Sequence, residues 1–222
     1  MTNGKNNIIY SAEENTLTIG LDEAGRGALA GPVYAACAYV PKSFNTSILA
    51  DSKKLTSGKR EQARKSIEKY CVYGIGVATH QEIDSLNILK ATFLAMERAF
   101  ENFLIAAEKA KLPLKKIQII VDGNILPDFL KKYDPKSLFA SQSHIENWTA
   151  NAIIKADDTI HSVMAASILA KTERDRIMIL AGKKWPGYGY EKHKGYGTKS
   201  HFHALKNLGA SPISRTTFKI NK

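Results

Sequence analysis

The chain has 222 residues, 44% hydrophobic, with two cysteines, Cys37 and Cys71, set in apolar stretches without zinc-ligand spacing; this excludes a disulfide scaffold or zinc module and predicts a protein that folds on its own core in a reducing cytoplasm. The polar start MTNGKNNIIY lacks a signal-peptide apolar segment, and no later run approaches the ~18 apolar residues of a membrane span, so a soluble, unexported protein is expected, with a monomer as the default. Lys and Arg number 32 against 21 acids, and the stretch 171–222 alone holds 12 basic and 3 acidic residues, a bias that points to a polyanion, nucleic acid first, or else to a generic solvated basic surface.

Leu17, Ile19 and Leu21 alternate with Thr16, Thr18, Gly20 and Asp22, which predicts a strand over 16–21. After the glycine loop, PVYAACAYV reads as a second strand closed by Pro41, and Thr56 or Ser57 caps a helix to about Tyr70. CVYGIGVAT is a third strand with Gly74 and Gly76 on one face, completing an antiparallel meander. Residues 82–111 are helical, in a short and a longer piece, with Leu89, Phe93, Met96, Phe100 and Leu104 forming a core stripe. KIQIIVD is a fourth strand ending in the turn Asp122-Gly123-Asn124, NAIIKAD a fifth, and SHIENWTANAI a possible helix. A helix over 162–184 opens with MAASILAK, followed by the loop WPGYGYEKHKGYGT and a helix over 199–208. The order points to an α/β domain with a mixed sheet and a helical C-terminal lobe.

Asp22, Asp122 and Asp157 each stand at the C-terminal end of an apolar strand, where ligands of open α/β sheets collect, so the three are expected to converge. Crowded carboxylates repel and raise one another's pKa unless a cation intervenes, and hard oxygen ligands suit Mg²⁺ or Mn²⁺. Two such ions can drive phosphodiester hydrolysis, so a two-metal nuclease or related phosphoryl-transfer enzyme is the reading. Each acid alone reads more simply as a turn or cap residue; the joint pattern outweighs that. Glu23 is harder to include: on a pleated strand it follows Leu21 to the apolar side unless the chain breaks at Ala24-Gly25. The glycines of GLDEAGRGALAG do not form a nucleotide loop, since no Gly-Lys-Ser/Thr occurs and Pro32 opens a strand rather than a helix. They leave room for a ligand to approach Gly25 and Gly27, with Arg26 supplying charge.

GLDEAGRGALAGPV, DSKKL, EIDSLNILKAT, VDGN, AASILAK and GYGYEKHKGYGT, in this order, closely resemble bacterial ribonuclease HII, the type 2 ribonuclease H. The resemblance implies a ribonuclease H-like mixed sheet flanked by helices with a C-terminal helical extension, divided as a catalytic domain 1–184 and a substrate-binding extension 185–222. It implies an endonuclease of ribonucleotide excision repair that uses Mg²⁺ or Mn²⁺. Its substrates would be the RNA strand of RNA/DNA hybrids and duplex DNA carrying ribonucleotides, nicked on the 5′ side. It implies that Asp22, Glu23, Asp122 and Asp157 hold metal, that Gly25, Arg26 and Gly27 sense the ribose 2′-hydroxyl, and that Tyr196 stacks on the sugar at the junction. Lys53, Lys54, Lys171 and Arg174, the last two three apart on one helix face, then become phosphate contacts rather than solvated cations. The chain departs from the family at Lys155-Ala156-Asp157-Asp158, which lacks the usual glycine and offers two acids; the spacing to Met164 favours Asp157, with Asp128 and Asp134 as weaker competitors. Glu173 also replaces a usual Thr. Arg26, where the sister type ribonuclease HIII usually has Lys, argues for HII. A noncatalytic RNA-binding protein and a DNA-only nuclease are the rival readings; the first leaves the strand-end acids unexplained, and the second predicts equal cutting of all-DNA duplex.

Overall fold

The computed structural model describes residues 16–49, 55–132 and 147–218. Within them, β1 (Thr16–Ala24), β2 (Val33–Tyr39), β3 (Val72–Ala78), β4 (Lys116–Asp122) and β5 (Asn147–Ile153) form one sheet in the order β3-β2-β1-β4-β5. β1, β2 and β3 pair antiparallel, as the short connections require, while β4 and β5 run parallel to β1. The helices are α1 (Ser57–Tyr70), α2 (His80–Leu86), α3 (Ile88–Lys109), α4 (Asp128–Lys132), α5 (His161–Lys184), the single turn α6 (Tyr190–His193) and α7 (Lys199–Leu208). Among the described residues no helix is long and apolar enough to cross a membrane.

The pleat of β1 divides the core. Ile19 and Leu21 join Val33, Ala35 and Cys37 against α3, whereas Ala24, Ala36 and Ala38 pack with Met164, Ala165 and Leu169 of α5 on the other face. Both contacts are close because small residues meet. A Cβ added at Gly76 would stand 2.1 Å from the carbonyl oxygen of Ala95 in α3, and one at Gly20 would stand 2.3 Å from the backbone of Ser162 and Val163 in α5. The expected large stripe of α3 is therefore partly corrected. Met96 and Phe100 are buried and Phe93 and Leu104 half-buried, but the helix also seats on Ala91, Ala95, Ala99 and Ala107, with Leu89 left at the margin.

Asn87 separates α2 from α3 with φ of 75° and caps α3 through its side chain, at 3.0 and 3.1 Å from the amides of Leu89 and Lys90. Two expectations change around β5. The strand is Asn147–Ile153, four residues ahead of NAIIKAD, and its residues are extended rather than helical as SHIENWTANAI allowed. β5 is an edge strand half open to solvent, so its alternation is too weak to fix a boundary. Lys53, Lys54 and Asp134 lie outside the described residues.

Candidate active site

Two neighbouring parallel strands deliver two of the acids. Leu21 of β1 faces Val121 of β4, so Asp22 and Asp122 follow side by side at the strand ends. Asp157 arrives differently from its expected strand end: it sits in a 3-10 turn, Ala156–Asp158, entered through Lys155 in the left-handed conformation at φ 60°. Two contacts seat that turn. The Ala156 amide donates to Asp122 Oδ1 at 2.8 Å, and Ala156 packs with Ile120 and Val163. One ligand oxygen from each of Asp22, Asp122 and Asp157 then lies within 4.8 Å of the others. Asp157 is buried and Asp158 exposed, which decides between the two adjacent acids, and Asp128, exposed at the start of α4, stands outside the cluster.

The electrostatics of the cluster favour a cation. Burial, then the charges of Glu23 and Asp122, push the Asp22 carboxyl well above the usual carboxylate range, against a hydrogen bond from the Ser167 hydroxyl. Repelling carboxylates held rigidly by two strand ends and a turn are a donor set that fits a hard divalent ion, which relieves the repulsion. Ser167 is a member of the site to which the sequence analysis assigned no role. Its place in AASILAK, on the α5 face turned toward the sheet, was the available signal.

Glu23 keeps the pleat. It pairs with Ala35 inside β1, the strand running on to Ala24, and it is not one of the three clustered acids. Its Oε1 accepts from Arg26 Nη1 at 3.2 Å, while Oε2 is buried with no hydrogen-bond partner among the described residues. Burial raises the Glu23 carboxyl, Arg26 opposes this, and the charge of Asp122 adds to the rise, so Glu23 borders the cluster electrostatically.

The glycine loop and the C-terminal segment are joined backbone to backbone. Ala28 bridges Tyr196, Ala30 bridges Ser214, and the Leu29 amide donates to Gly195 O at 2.8 Å. Tyr196 is held on both sides by histidines. His201 Nδ1 lies 3.0 Å from Tyr196 O, and His193 Nδ1 accepts from the Gly195 amide at 3.1 Å. The two imidazoles stack at 4.4 Å, and burial lowers the His201 pKa. Gly25 is buried, Arg26 and Gly27 exposed.

Lys171 and Arg174 do share a face, with Nζ 5.7 Å and Cζ 5.1 Å from the Tyr196 ring centroid. Lys171 is half-buried and paired with Asp175 at 2.7 Å. Arg174 departs from the expected phosphate contact: it is 0% exposed and donates to the carbonyls of Pro32 and Ala30. The loop above has turned those carbonyls inward, and they hold the guanidinium away from solvent. Glu173 faces α1 rather than the Tyr196 side, bridging Arg64 at 2.8 Å.

A family model described as Ribonuclease HII matches residues 19–221. The Ribonuclease HII of Treponema denticola is 52% identical over 206 residues, covering 90% of this chain and 96% of that one. That of Pelagibacter ubique is 39% identical, with 90% and 94% covered. Among solved structures, the ribonuclease H2 of Pyrococcus horikoshii OT3 matches with a TM-score of 0.60 at 27% identity over 91% of this chain and 94% of that one. The PCNA:RNase HII complex from Archaeoglobus fulgidus gives 0.66 at 23% identity, with 93% and 96% covered. Bst-RNase HIII in complex with Mn²⁺ gives 0.65 at 21% identity, with 91% and 67% covered. The motifs of the glycine loop, the carboxylates on a mixed sheet and these likenesses agree: the chain belongs to the ribonuclease HII family.

Proposed function

We propose that this protein is an endonuclease that cuts the RNA strand of RNA/DNA hybrids and nicks duplex DNA on the 5′ side of an embedded ribonucleotide, leaving a 3′-hydroxyl and a 5′-phosphate. Membership of the ribonuclease HII family makes it a ribonuclease H. The observation that carries the finer reading is the cluster of Asp22, Asp122 and Asp157, oxygens within 4.8 Å, beside a loop bonded to the segment bearing Tyr196.

In this reading Asp22, Asp122 and Asp157 hold Mg²⁺ or Mn²⁺, and Glu23 contributes from the border of the cluster. A pair of such cations, when bound, supplies the charge that activates water and stabilises the leaving oxygen. Ser167 orients the Asp22 carboxylate through its hydroxyl, and the Ala156 amide orients that of Asp122. The exposed Arg26 and Gly27 meet the sugar and its 2′-hydroxyl, Tyr196 stacks on the neighbouring sugar, and Lys171 meets a phosphate. The protein's part is positioning of strand and carboxylates, which converts an encounter into a near-attack geometry.

The test uses a labelled duplex with one ribonucleotide and its all-deoxy twin, each incubated with Mg²⁺, with Mn²⁺ and with excess chelator. A single cation-dependent nick 5′ of the ribonucleotide is expected. Equal cutting of the all-deoxy twin would make the protein a DNA nuclease instead.

A further inference from the structure

The carbonyls of the 25–32 loop are gathered onto two buried guanidinium groups. Arg215 donates from Nε to Gly31 O at 2.9 Å, from Nη1 to Arg26 O at 2.8 Å, and from Nη2 to Gly25 O at 2.8 Å and Pro32 O at 3.2 Å. Arg174 donates from Nε to Pro32 O at 3.0 Å and from Nη2 to Ala30 O at 3.2 Å, while its Nη1 is buried without a hydrogen-bond partner among the described residues. The two side chains belong to residues 0% and 3% exposed, and neither forms an ion pair among the described residues. Burial, and then the charge of Arg174, draw the Arg215 pKa down to about 9.

Two like charges buried together without a carboxylate are a poor way to stabilise a fold. They are a good way to fix a loop, because each planar fork takes several carbonyls at set angles, as a lysine cannot. The glycines divide accordingly. Gly25 has φ of +103°, and a Cβ there would stand 2.0 Å from Arg174 Nε; a Cβ at Gly27 would meet nothing among the described residues within 4 Å. Gly25 therefore makes room for the arginine beneath, and Gly27 leaves room above.

The Ala28 amide bonds to Gly25 O at 3.3 Å, which puts Arg26 and Gly27 at the centre of a turn. With the Gly25 and Arg26 carbonyls drawn to Arg215, the amides of Arg26 and Gly27 donate to nothing among the described residues. The exposed part of the turn thus offers donors.

We propose that Arg174 and Arg215 are positioning residues for sugar recognition: by drawing the loop carbonyls inward, they hold the Arg26 and Gly27 amides ready for an acceptor oxygen of the ribose. This rests on the proposed reading that the 25–27 turn senses the 2′-hydroxyl. Selectivity is measured as the inhibition constant of an all-deoxy duplex divided by the KM of its single-ribonucleotide twin. Arg215→Lys and Arg174→Lys should each lower that ratio at least about fivefold through a raised KM. The inhibition constant and the cation concentration giving half-maximal rate should stay unchanged.

A merely structural arginine would reduce the folded fraction, and so the maximal rate, without moving the ratio. A ratio within twofold of the parent in the folded Lys variants, while Gly27→Ala lowers it, overturns the role of the arginines. An unmoved ratio in Gly27→Ala instead sinks the sugar-sensing turn itself. Independently of any variant, the Arg26 and Gly27 amides of the free protein should exchange rapidly with deuterium; protection of both would show their donors already taken and overturn the proposal.

Discussion

Asp22 carries opposed demands. It is 5% exposed, it lies beside two other acids, and its neighbour Glu23 adds a further negative charge. Its setting disfavours ionisation, and only a cation makes the ionised form comfortable. Removing one carboxylate from the cluster without changing its shape should therefore cost chemistry far more than folding. Asp122→Asn is expected to lower kcat by more than about 100-fold with the duplex still bound, measured by single-turnover cleavage and by anisotropy. Near-normal turnover would take Asp122 out of the mechanism. The sequence exposed this cluster because each acid follows an apolar run. It marked Ser167 only by its place in AASILAK, and it did not expose Arg215, since an arginine in a polar tail carries no local sign of its partners.

Elements succeed or fail here through close approach. Gly20 lets the start of α5 lie directly on β1, and α5 follows immediately on the turn that holds Asp157. Gly20→Ala inserts a methyl where there is no space, so a stability loss of about 1–3 kcal/mol is expected from urea unfolding, accompanied by lower activity as the Asp157 turn shifts. An unchanged unfolding midpoint would mean the helix can move away freely.

The last described segment is tied to α2 by Asp84, whose carboxylate accepts from the amides and hydroxyls of Thr216 and Thr217 at 2.8 to 3.1 Å. Partial burial acts to raise its pKa, but these four donors win and hold it down to about 2. A depressed folded pKa gives stability that is complete above the unfolded value near 4 and fades as pH falls toward 2. Asp84→Asn should lower the melting temperature at pH 6 by roughly 2–4 °C, corresponding to about 1 kcal/mol once solvent screening is allowed for. The difference from the parent should shrink below pH 3. A gap that persists at pH 2.5 would show that the carboxylate charge is not what the tether uses.

At the scale of the whole molecule, charge governs encounter. The excess of basic residues after residue 170 predicts that affinity for any duplex falls as salt rises, with a logarithmic slope of about −0.9 for each phosphate neutralised. Lys171→Gln should flatten that slope by about one unit on all-deoxy duplex, as read by titrations at several salt concentrations. An unchanged slope would leave Lys171 to its Asp175 pair alone.

The sequence by itself determined the strand meander, the split of the helical stretch 82–111 into a short and a longer piece, the C-terminal helices, and the placing of Asp22 and Asp122 at the ends of β1 and β4. These are local matters of alternation, capping and turn chemistry, carried by residues that stay near one another along the chain. Only the tertiary structure decided the rest. It kept Glu23 in the pleat, buried Asp157, which the spacing to Met164 had already favoured, while leaving Asp158 exposed, and turned Arg174 from a candidate phosphate contact into a buried support. Each of those outcomes depends on what a distant segment places against the residue. A side chain's range of chemistry is written locally, but which part of that range is used is fixed by the packing that surrounds it.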